Sequence, residues 1–154
     1  MLEIYVDADG CPAKDEVYRV AARYGLNVYV VSNRRISTPL EVWLKPVVVS
    51  GHFDAVDDWI AEHAGEDDIA VTADIPLAAR CLERGACVLG PNGREFTEDS
   101  IGSDLASRDL MDQLRQMGAV TGGPAQRSKQ DRSRFLSRLD DIIQAIRRRR
   151  GTPK

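Results

Sequence analysis

The chain has 154 residues, 43% hydrophobic and 29% charged, which is the balance of one ordinary globular domain. It has no apolar run of about 18 residues, so we expect no transmembrane helix. A strand pattern starts at once, which leaves no room for a signal peptide and predicts a cytoplasmic protein. Its three cysteines form no Cys-x-x-Cys pair, which argues against a disulfide framework and structural zinc.

The net charge of −3 hides an uneven distribution along the chain. Residues 1–124 carry 11 Lys and Arg against 21 Asp and Glu, whereas residues 125–154 carry 10 against 3. The acidic part repels nucleic acid unless a metal intervenes, while the basic part attracts phosphate. We therefore predict an α/β domain over residues 1–124 and a basic C-terminal helix and tail over residues 125–154, packed on that domain.

Apolar runs and helical patterns alternate along the first ninety residues. The runs predict strands at 2–6, 27–31, 47–49, 69–72 and 87–89. The spacing of apolar residues predicts helices at 14–24, 55–64 and 75–84, with Gly25 and Gly85 ending the first and the third. This alternation is typical of βαβ units, so we predict an α/β fold around a mainly parallel sheet of about five strands.

The chain is predicted to be helical again beyond Phe96, and Thr121-Gly122-Gly123-Pro124 predicts a flexible joint. A last helix starts near Ser128. Its apolar stripe should dock on the body or on a second subunit, so a homodimer through the C-terminal helix is one hypothesis. The stripe consists of Phe135, Leu136, Leu139, Ile142, Ile143 and Ile146. Four arginines at 147–150 are interpreted as a solvated basic tail.

Carboxylates follow two of the predicted strands. Asp7 and Asp9 come directly after the first strand, and Asp74 follows the fourth, where it could also be the N-cap of the next helix. The carboxyl ends of parallel strands share one edge of a sheet, where α/β proteins bind their ligands. Converging carboxylates repel one another unless a hard cation neutralises them. The sequence therefore predicts a Mg²⁺ or Mn²⁺ site at this edge.

A second acidic set, Asp54, Asp57 and Asp58, shares the first turn of the helix at 55–64. A capped and solvated helix start explains this set as well as a functional role does. His52 adjoins the set and is a candidate to tune its charge. Cys11 is interpreted as structural, since neighbouring carboxylates raise the pKa of a thiol. The chain contains no P-loop and no Gly-x-Ser-x-Gly pattern.

Several short motifs together resemble a known family. They are Asp7-Ala8-Asp9-Gly10-Cys11-Pro12, Phe53-Asp54-Ala55-Val56-Asp57, Thr72-Ala73-Asp74-Ile75-Pro76-Leu77-Ala78, Arg108-Asp109, Thr121-Gly122-Gly123-Pro124 and Asp131-Arg132. Over nearly its whole length the chain closely resembles the YaiI/YqxD family of small bacterial proteins. That family in turn resembles a branch of the PIN-like superfamily, whose members are mostly metal-dependent ribonucleases.

The resemblance implies a three-layer α/β/α PIN-like sandwich with a C-terminal helical extension. It implies a Mg²⁺- or Mn²⁺-dependent nuclease that acts on RNA. Its metal-binding and catalytic acids would be Asp7, Asp9, Asp57 and Asp74. The PIN acid between the first and third sites has no clear counterpart, and Glu41 and Asp54 are weak candidates. Candidate substrate-binding residues are Lys14, Asn33, Thr72, Arg108 and Arg132.

Two other functions stay open. An Asp-x-Asp-Gly segment after a strand also opens haloacid-dehalogenase-like phosphatases, in which the first Asp is the nucleophile and the second a general acid. Thr72 or Ser32 could supply the hydroxyl that this chemistry needs, but Lys45 enters a predicted strand instead of leaving one. The other alternative is a non-catalytic module that binds RNA or protein through its basic C-terminal part.

Overall fold

A computed structural model describes residues 2–9, 11–52, 54–117 and 127–150. Its strands are β1 Glu3–Asp7, β2 Asn27–Ser32, β3 Leu44–Val48, β4 Ile69–Val71, β5 Cys87–Leu89 and β6 Glu95–Phe96. Its helices are α1 Lys14–Tyr24, α2 Ala55–His63, α3 Ile75–Glu83, α4 Glu98–Gln116 and α5 Lys129–Arg149. None of these helices is both long enough and apolar enough to cross a membrane.

The strands form one sheet in the order β3-β2-β1-β4-β5-β6. All neighbouring pairs are parallel except β5 and β6. The chain builds outward from β1 through β2 to β3, and then returns to the other side of β1 to add β4 and β5. The order of the strands therefore reverses between β1 and β4, which is where open α/β sheets form a crevice at their carboxyl edge.

The prediction of an α/β fold with a mainly parallel sheet is confirmed. Several element ends differ from the prediction by one residue, and two larger differences lie at the margins of the sheet. The sixth strand has only two residues, which is too short for an alternating pattern to be recognised. The third strand begins at Leu44 and runs through Pro46, not at 47 as predicted. Proline is tolerated there because β3 is an edge strand.

Helices cover both faces of the sheet. Side chains of a strand alternate between the two faces, so Ile4 and Val6 of β1 pack in one buried cluster with residues of α1 and α5. Tyr5 points to the other face and packs in a second buried cluster with residues of α2 and α3. The result is the predicted three-layer α/β/α arrangement. Asp7 shares the alternation of Tyr5 and so belongs to the face that α2 and α3 cover.

The C-terminal helix docks on the body of the same chain. Five residues of its apolar stripe are buried in the cluster that contains α1 and β1, and Leu136 is partly buried against it, so the stripe is used mainly within the same chain. A capping box at Ser128 starts the helix. The sequence predicts a solvated basic tail, and the structure differs. Arg147 donates to the carbonyl oxygen of Tyr24, and Arg149 pairs with Asp67.

The turn between β5 and β6 lies directly against α5. Gly93 in this turn has a φ of +89°, which L side chains rarely adopt. A Cβ there would lie 2.7 Å from Cγ of Arg134 and 2.8 Å from the backbone nitrogen of Phe135. Only glycine permits this approach. The joint predicted at 121–124 lies outside the described residues, so the domain boundary near residue 124 stays a prediction.

Candidate metal site at the carboxyl edge of the sheet

Two of the predicted acids meet at the reversal point of the sheet. Asp7 ends β1, and Asp74 follows β4, the neighbouring strand. Both side chains line one pocket of about 180 Å³ together with Asp9, Cys11 and Ala73. The topology brings them together because β1 and β4 are parallel neighbours, although 66 residues of chain lie between Asp7 and Asp74. The predicted convergence of strand-end carboxylates is therefore found for three acids.

A buried hydroxyl fixes the two main acids relative to each other. Thr72 is 1% exposed, and its Oγ1 donates to Oδ2 of Asp7 at 2.9 Å. The same oxygen accepts the backbone N–H of Asp74 at 3.0 Å. Asp74 in turn caps α3, because its Oδ1 accepts the N–H of Leu77 at 3.1 Å. The N-cap role and the strand-end role of Asp74 are thus compatible, since only one carboxylate oxygen is used as the cap.

The environment of Asp7 opposes its ionisation. Burial is the main cause that raises the pKa of this carboxyl to about 6, and the charges of Asp74 and Asp9 raise it further. The hydrogen bond from Thr72 acts in the opposite direction. A positive charge in the pocket would relieve both the burial cost and the repulsion. The site is therefore electrostatically suited to a cation.

Asp57 faces the same cluster from α2. Its pKa is raised to about 6, first by burial and then by the charges of Asp74, Asp7 and Asp54, while Arg80 opposes the rise. Asp58 belongs to a different arrangement: it pairs with His52 at 2.7 Å and with Arg80 at 2.8 Å. These two hydrogen bonds lower its pKa.

The predicted acidic face of α2 is thus divided. Asp57 and Asp54 act electrostatically on the cluster, whereas Asp58 is held on the surface by its hydrogen bonds with His52 and Arg80. Glu41, one of the weak candidates for the missing PIN acid, lines a separate pocket near Leu40 and Val42. The structure therefore favours Asp54 over Glu41 as a neighbour of the cluster.

The donor set of the pocket suits only certain metals. No group of three or more His, Cys, Asp or Glu side chains in the described ranges is placed so that it could hold a metal ion by itself. A fully protein-ligated ion such as structural zinc needs such a group. Mg²⁺, in contrast, usually keeps several waters and takes one or two carboxylates plus substrate phosphate oxygens. Asp7 and Asp74 fit a hydrated hard cation of this kind.

The predicted substrate-binding residues occupy varied positions. The backbone N–H of Asn33 lies 3.4 Å from Oδ2 of Asp9, which places the loop after β2 at the acidic edge. Lys14 Nζ lies 3.5 Å from the carbonyl oxygen of Ala8, the residue between Asp7 and Asp9. Thr72 is buried, and both its hydrogen bonds serve the two acids, so its position favours orienting Asp7 over contacting a substrate.

The other two predicted phosphate contacts are paired with carboxylates. Arg108 lies on α4 and forms an ion pair with Asp112 four residues later. Arg132 on α5 lies 3.2 Å from Oε1 of Glu16, at a separate pocket formed by α1 and α5. Neither residue lines the pocket that contains Asp7. Their charges are used within the protein, and as substrate contacts they stay predictions.

Sequence reasoning missed a largely buried arginine that braces this edge of the molecule. Arg127 donates to the carbonyl oxygens of Pro12 and Pro91, in the loops that follow β1 and β5, and pairs with Glu16 at 2.7 Å. It therefore ties the start of α5 to the loop below the pocket. Its contacts span up to 115 residues of sequence, so no local pattern could have indicated them.

Cys11 lines the pocket but is no candidate nucleophile. It is 8% exposed, and burial is the first cause that raises the pKa of its thiol. The charge of Asp7 raises it further. The prediction had assigned the rise to the carboxylates alone, whereas burial dominates. A thiol with a raised pKa is a weak nucleophile and packs as a small hydrophobic group.

Comparison with known proteins identifies close relatives. A family model described as "Uncharacterized BCR, YaiI/YqxD family" matches residues 5–145. A UPF0178 protein of Parvibaculum lavamentivorans is 58% identical over 149 residues, covering 97% of this chain and 98% of the relative. One from Rhodospirillum centenum is 54% identical over 154 residues, covering 97% and 100%. No solved structure matches significantly. These matches confirm the family resemblance drawn from the motifs.

Proposed function

The chain belongs to the YaiI/YqxD family, and we propose that it hydrolyses phosphodiester bonds of RNA with a Mg²⁺ or Mn²⁺ ion bound at Asp7 and Asp74. The observation that carries the proposal is the meeting of these two carboxylates in one pocket at the reversal point of the sheet. The raised pKa of Asp7 supports the proposal. Burial and the charges of Asp74 and Asp9 make an ionised Asp7 unfavourable, and a bound cation would relieve this cost.

A bound Mg²⁺ or Mn²⁺ would supply an activated water and would offset charge on the phosphate. The protein residues have separate tasks around it. Thr72 holds Asp7 in one orientation through its hydroxyl. Oδ1 of Asp74 caps α3, and its Oδ2 accepts no hydrogen bond from the residues that the structure describes. Asp9 adds a third carboxylate at the rim of the pocket.

Asp57, which is coupled to Asp7 and Asp74 and is left over from the proposed metal ligands, is our candidate to accept a proton. A general base works best when its pKa is close to the operating pH. The pKa of Asp57, raised to about 6, meets that requirement at neutral pH, when most of the carboxyl is ionised. We therefore assign the proton from the attacking water to a carboxylate oxygen of Asp57. Arg80, whose charge opposes the rise in the pKa of Asp57, limits how far that pKa climbs.

RNA as the substrate rests on the likeness of the motifs to PIN-like ribonucleases and on the three-layer fold, which is compatible with that superfamily. A phosphatase that forms an aspartyl phosphate is less well supported. The hydroxyl that such an enzyme would use, at Ser32 or Thr72, already donates to a group of the protein in each case.

The test is an RNA cleavage assay with the purified chain. A mixed-sequence RNA is incubated with Mn²⁺ or Mg²⁺, or with EDTA, and the products are separated by size. We expect metal-dependent cleavage that Asp7→Asn combined with Asp74→Asn reduces by at least about a hundredfold, since charge stabilisation at a phosphoryl centre is worth several kcal/mol.

The matched control is Asp99→Asn combined with Asp141→Asn. Both residues are exposed carboxylates on α4 and α5, and the double variant removes the same charge. It should keep wild-type activity. Cleavage that persists in the Asp7 and Asp74 variant would reject the proposed site. A covalent phosphoenzyme trapped with a phosphomonoester would favour the phosphatase instead.

A further inference from the structure

The loop after β2 carries two adjacent arginines at the rim of the acidic pocket. Arg34 and Arg35 are both exposed. The loop is fixed at its root, because buried Ser32 donates through Oγ to the carbonyl oxygen of Arg34 at 2.5 Å. Between them, the backbone N–H of Asn33 lies 3.4 Å from Oδ2 of Asp9. Since consecutive Cα atoms are 3.8 Å apart, both arginines begin within about 8 Å of Asn33.

These two arginines have no carboxylate partner within the described part of the chain. Within the described part of the chain, the side chains of Arg34 and Arg35 take part in no ion pair or hydrogen bond, whereas Arg80 and Arg94 are each paired with an aspartate. Two adjacent exposed positive charges without a carboxylate partner, next to a loop residue that touches Asp9, are free to serve an anion that comes from outside. A paired arginine would have to give up its partner to do the same.

Their position relative to the pocket suggests which anion that is. β2 is the neighbour of β1 on the side opposite to β4. The carboxylates of Asp7 and Asp74 lie at the tips of β1 and β4, and the arginines lie beyond the tip of β2. A polynucleotide that crosses this edge of the sheet would place one phosphate at the acids and its next phosphates at the arginines. A phosphomonoester or a single nucleotide would reach only one of the two regions.

We infer that Arg34 and Arg35 bind phosphates flanking the scissile bond, so that the site takes a single-stranded polynucleotide and not a small phosphate ester. The position of the arginines beside a scissile bond rests on the proposed function, whereas their binding of a polynucleotide does not depend on cleavage. Contacts of cations to the backbone of a nucleic acid position it without reading its sequence. The two arginines therefore select for chain length, and they leave the chemistry to the carboxylates.

The test compares Arg34→Ala combined with Arg35→Ala against wild-type protein on two substrates. With bis(p-nitrophenyl) phosphate, which has no flanking phosphate, we expect the same Mn²⁺-dependent rate. With a short oligouridylate we expect KM to rise at least about tenfold, since each lost phosphate contact weakens binding. An equal loss on both substrates would overturn the inference, as would no loss on the oligonucleotide.

A binding measurement keeps the inference testable if neither substrate is cleaved, an outcome that would count against the proposed function alone. Fluorescence anisotropy of labelled oligouridylate at fixed Mg²⁺ gives the affinity as salt is varied. Losing two phosphate contacts should make the slope of log affinity against log salt less steep by about 1.4 for a single strand, because that slope is negative. The ratio of wild-type affinity to variant affinity should therefore shrink about sevenfold between roughly 50 and 200 mM salt. An unchanged slope would contradict the inference.

The matched control is Arg138→Ala combined with Arg148→Ala. Both are exposed arginines of α5 without a carboxylate partner in the described structure, and the variant loses the same charge. Arg148 adjoins Arg149, which pairs with Asp67 just before β4, at the opposite edge of the sheet. The control should retain the oligonucleotide KM and the salt slope. An equal effect of both double variants would show that only net charge matters, and would reject a specific role for the loop.

Discussion

Replacing Asp7 by Asn should stabilise the metal-free protein at neutral pH. The carboxyl of Asp7 is costly to ionise because it is partly buried and faces Asp74 and Asp9. Asparagine keeps an oxygen that can accept the hydrogen bond from Thr72. The substitution therefore removes the charge and keeps the contact. A residue that is unfavourable for folding is what a functional site predicts.

The size of this stabilisation and its dependence on pH follow from the pKa of Asp7. It is about 6 in the folded chain, against 3.8 for the unperturbed carboxyl. This difference corresponds to about 3 kcal/mol for a fully desolvated group, which solvent at the open pocket reduces to about 2 kcal/mol. Because the folded pKa is raised, the penalty is absent below about pH 4, grows between about pH 4 and 6, and is complete above that.

Thermal and urea unfolding in EDTA across this pH range measure the effect. At neutral pH, Asp7→Asn should raise Tm by about 4 to 8 °C in a chain of this size. The gain should disappear as the pH falls below about 4, where Asp7 becomes protonated in the unfolded chain as well as in the folded one. Asp99→Asn, on the exposed start of α4, should show no such pH dependence. A variant less stable than wild type at neutral pH, or a gain independent of pH, would refute the reasoning.

Three further substitutions test other parts of the account. Thr72→Val should weaken Mn²⁺ binding in a calorimetric titration by about tenfold, because it frees Asp7 and an N–H group that Thr72 now satisfies. Glu16→Gln should destabilise the fold by about 3 kcal/mol in urea, since it leaves the buried guanidinium of Arg127 without a counter-charge. Gly93→Ala should cost at least about 2 kcal/mol in urea, because the added Cβ meets α5 at a strained φ.

Each of these has a comparison that isolates the cause. Thr72→Ser retains the hydroxyl and should restore Mn²⁺ binding. Gly102→Ala, inside α4, meets no atom within 4 Å and should be neutral or stabilising by up to about 1 kcal/mol. Amide exchange in α5 should rise in the Glu16 variant and not in the Thr72 variants. If Gly93→Ala were as harmless as Gly102→Ala, the close packing of the β5–β6 turn on α5 would be wrong.

The main elements of the fold could be predicted because their signals are local. The helix at 14–24 has an apolar face and a glycine after it, and the observed α1 has the predicted bounds. The strand β3 was placed too late because Pro46 reads as a strand breaker, and only its position at the sheet edge makes it acceptable. The two-residue β6 carries no period that a sequence could show.

Of the candidate site, the sequence could predict only the residues that lie at the ends of strands. Asp7 and Asp74 could be placed at one edge because parallel strands end together, and the structure puts them in one pocket. The orientation of Asp58 toward His52 and Arg80 depends on how α2 packs on α3, which the sequence does not encode locally. Whether Arg34 and Arg35 have a carboxylate partner likewise depends on their surroundings in the fold, and the sequence alone shows only a polar loop.

The most direct test of the central claim is a Mn²⁺ titration followed by electron paramagnetic resonance of the free ion. The claim is that Asp7 and Asp74 together hold the metal. We predict saturable Mn²⁺ binding to the wild-type chain, with an affinity that Asp7→Asn or Asp74→Asn each lowers by at least about tenfold and that Asp99→Asn leaves unchanged. Mn²⁺ binding of equal affinity in all four proteins, or none in the wild type, would contradict it.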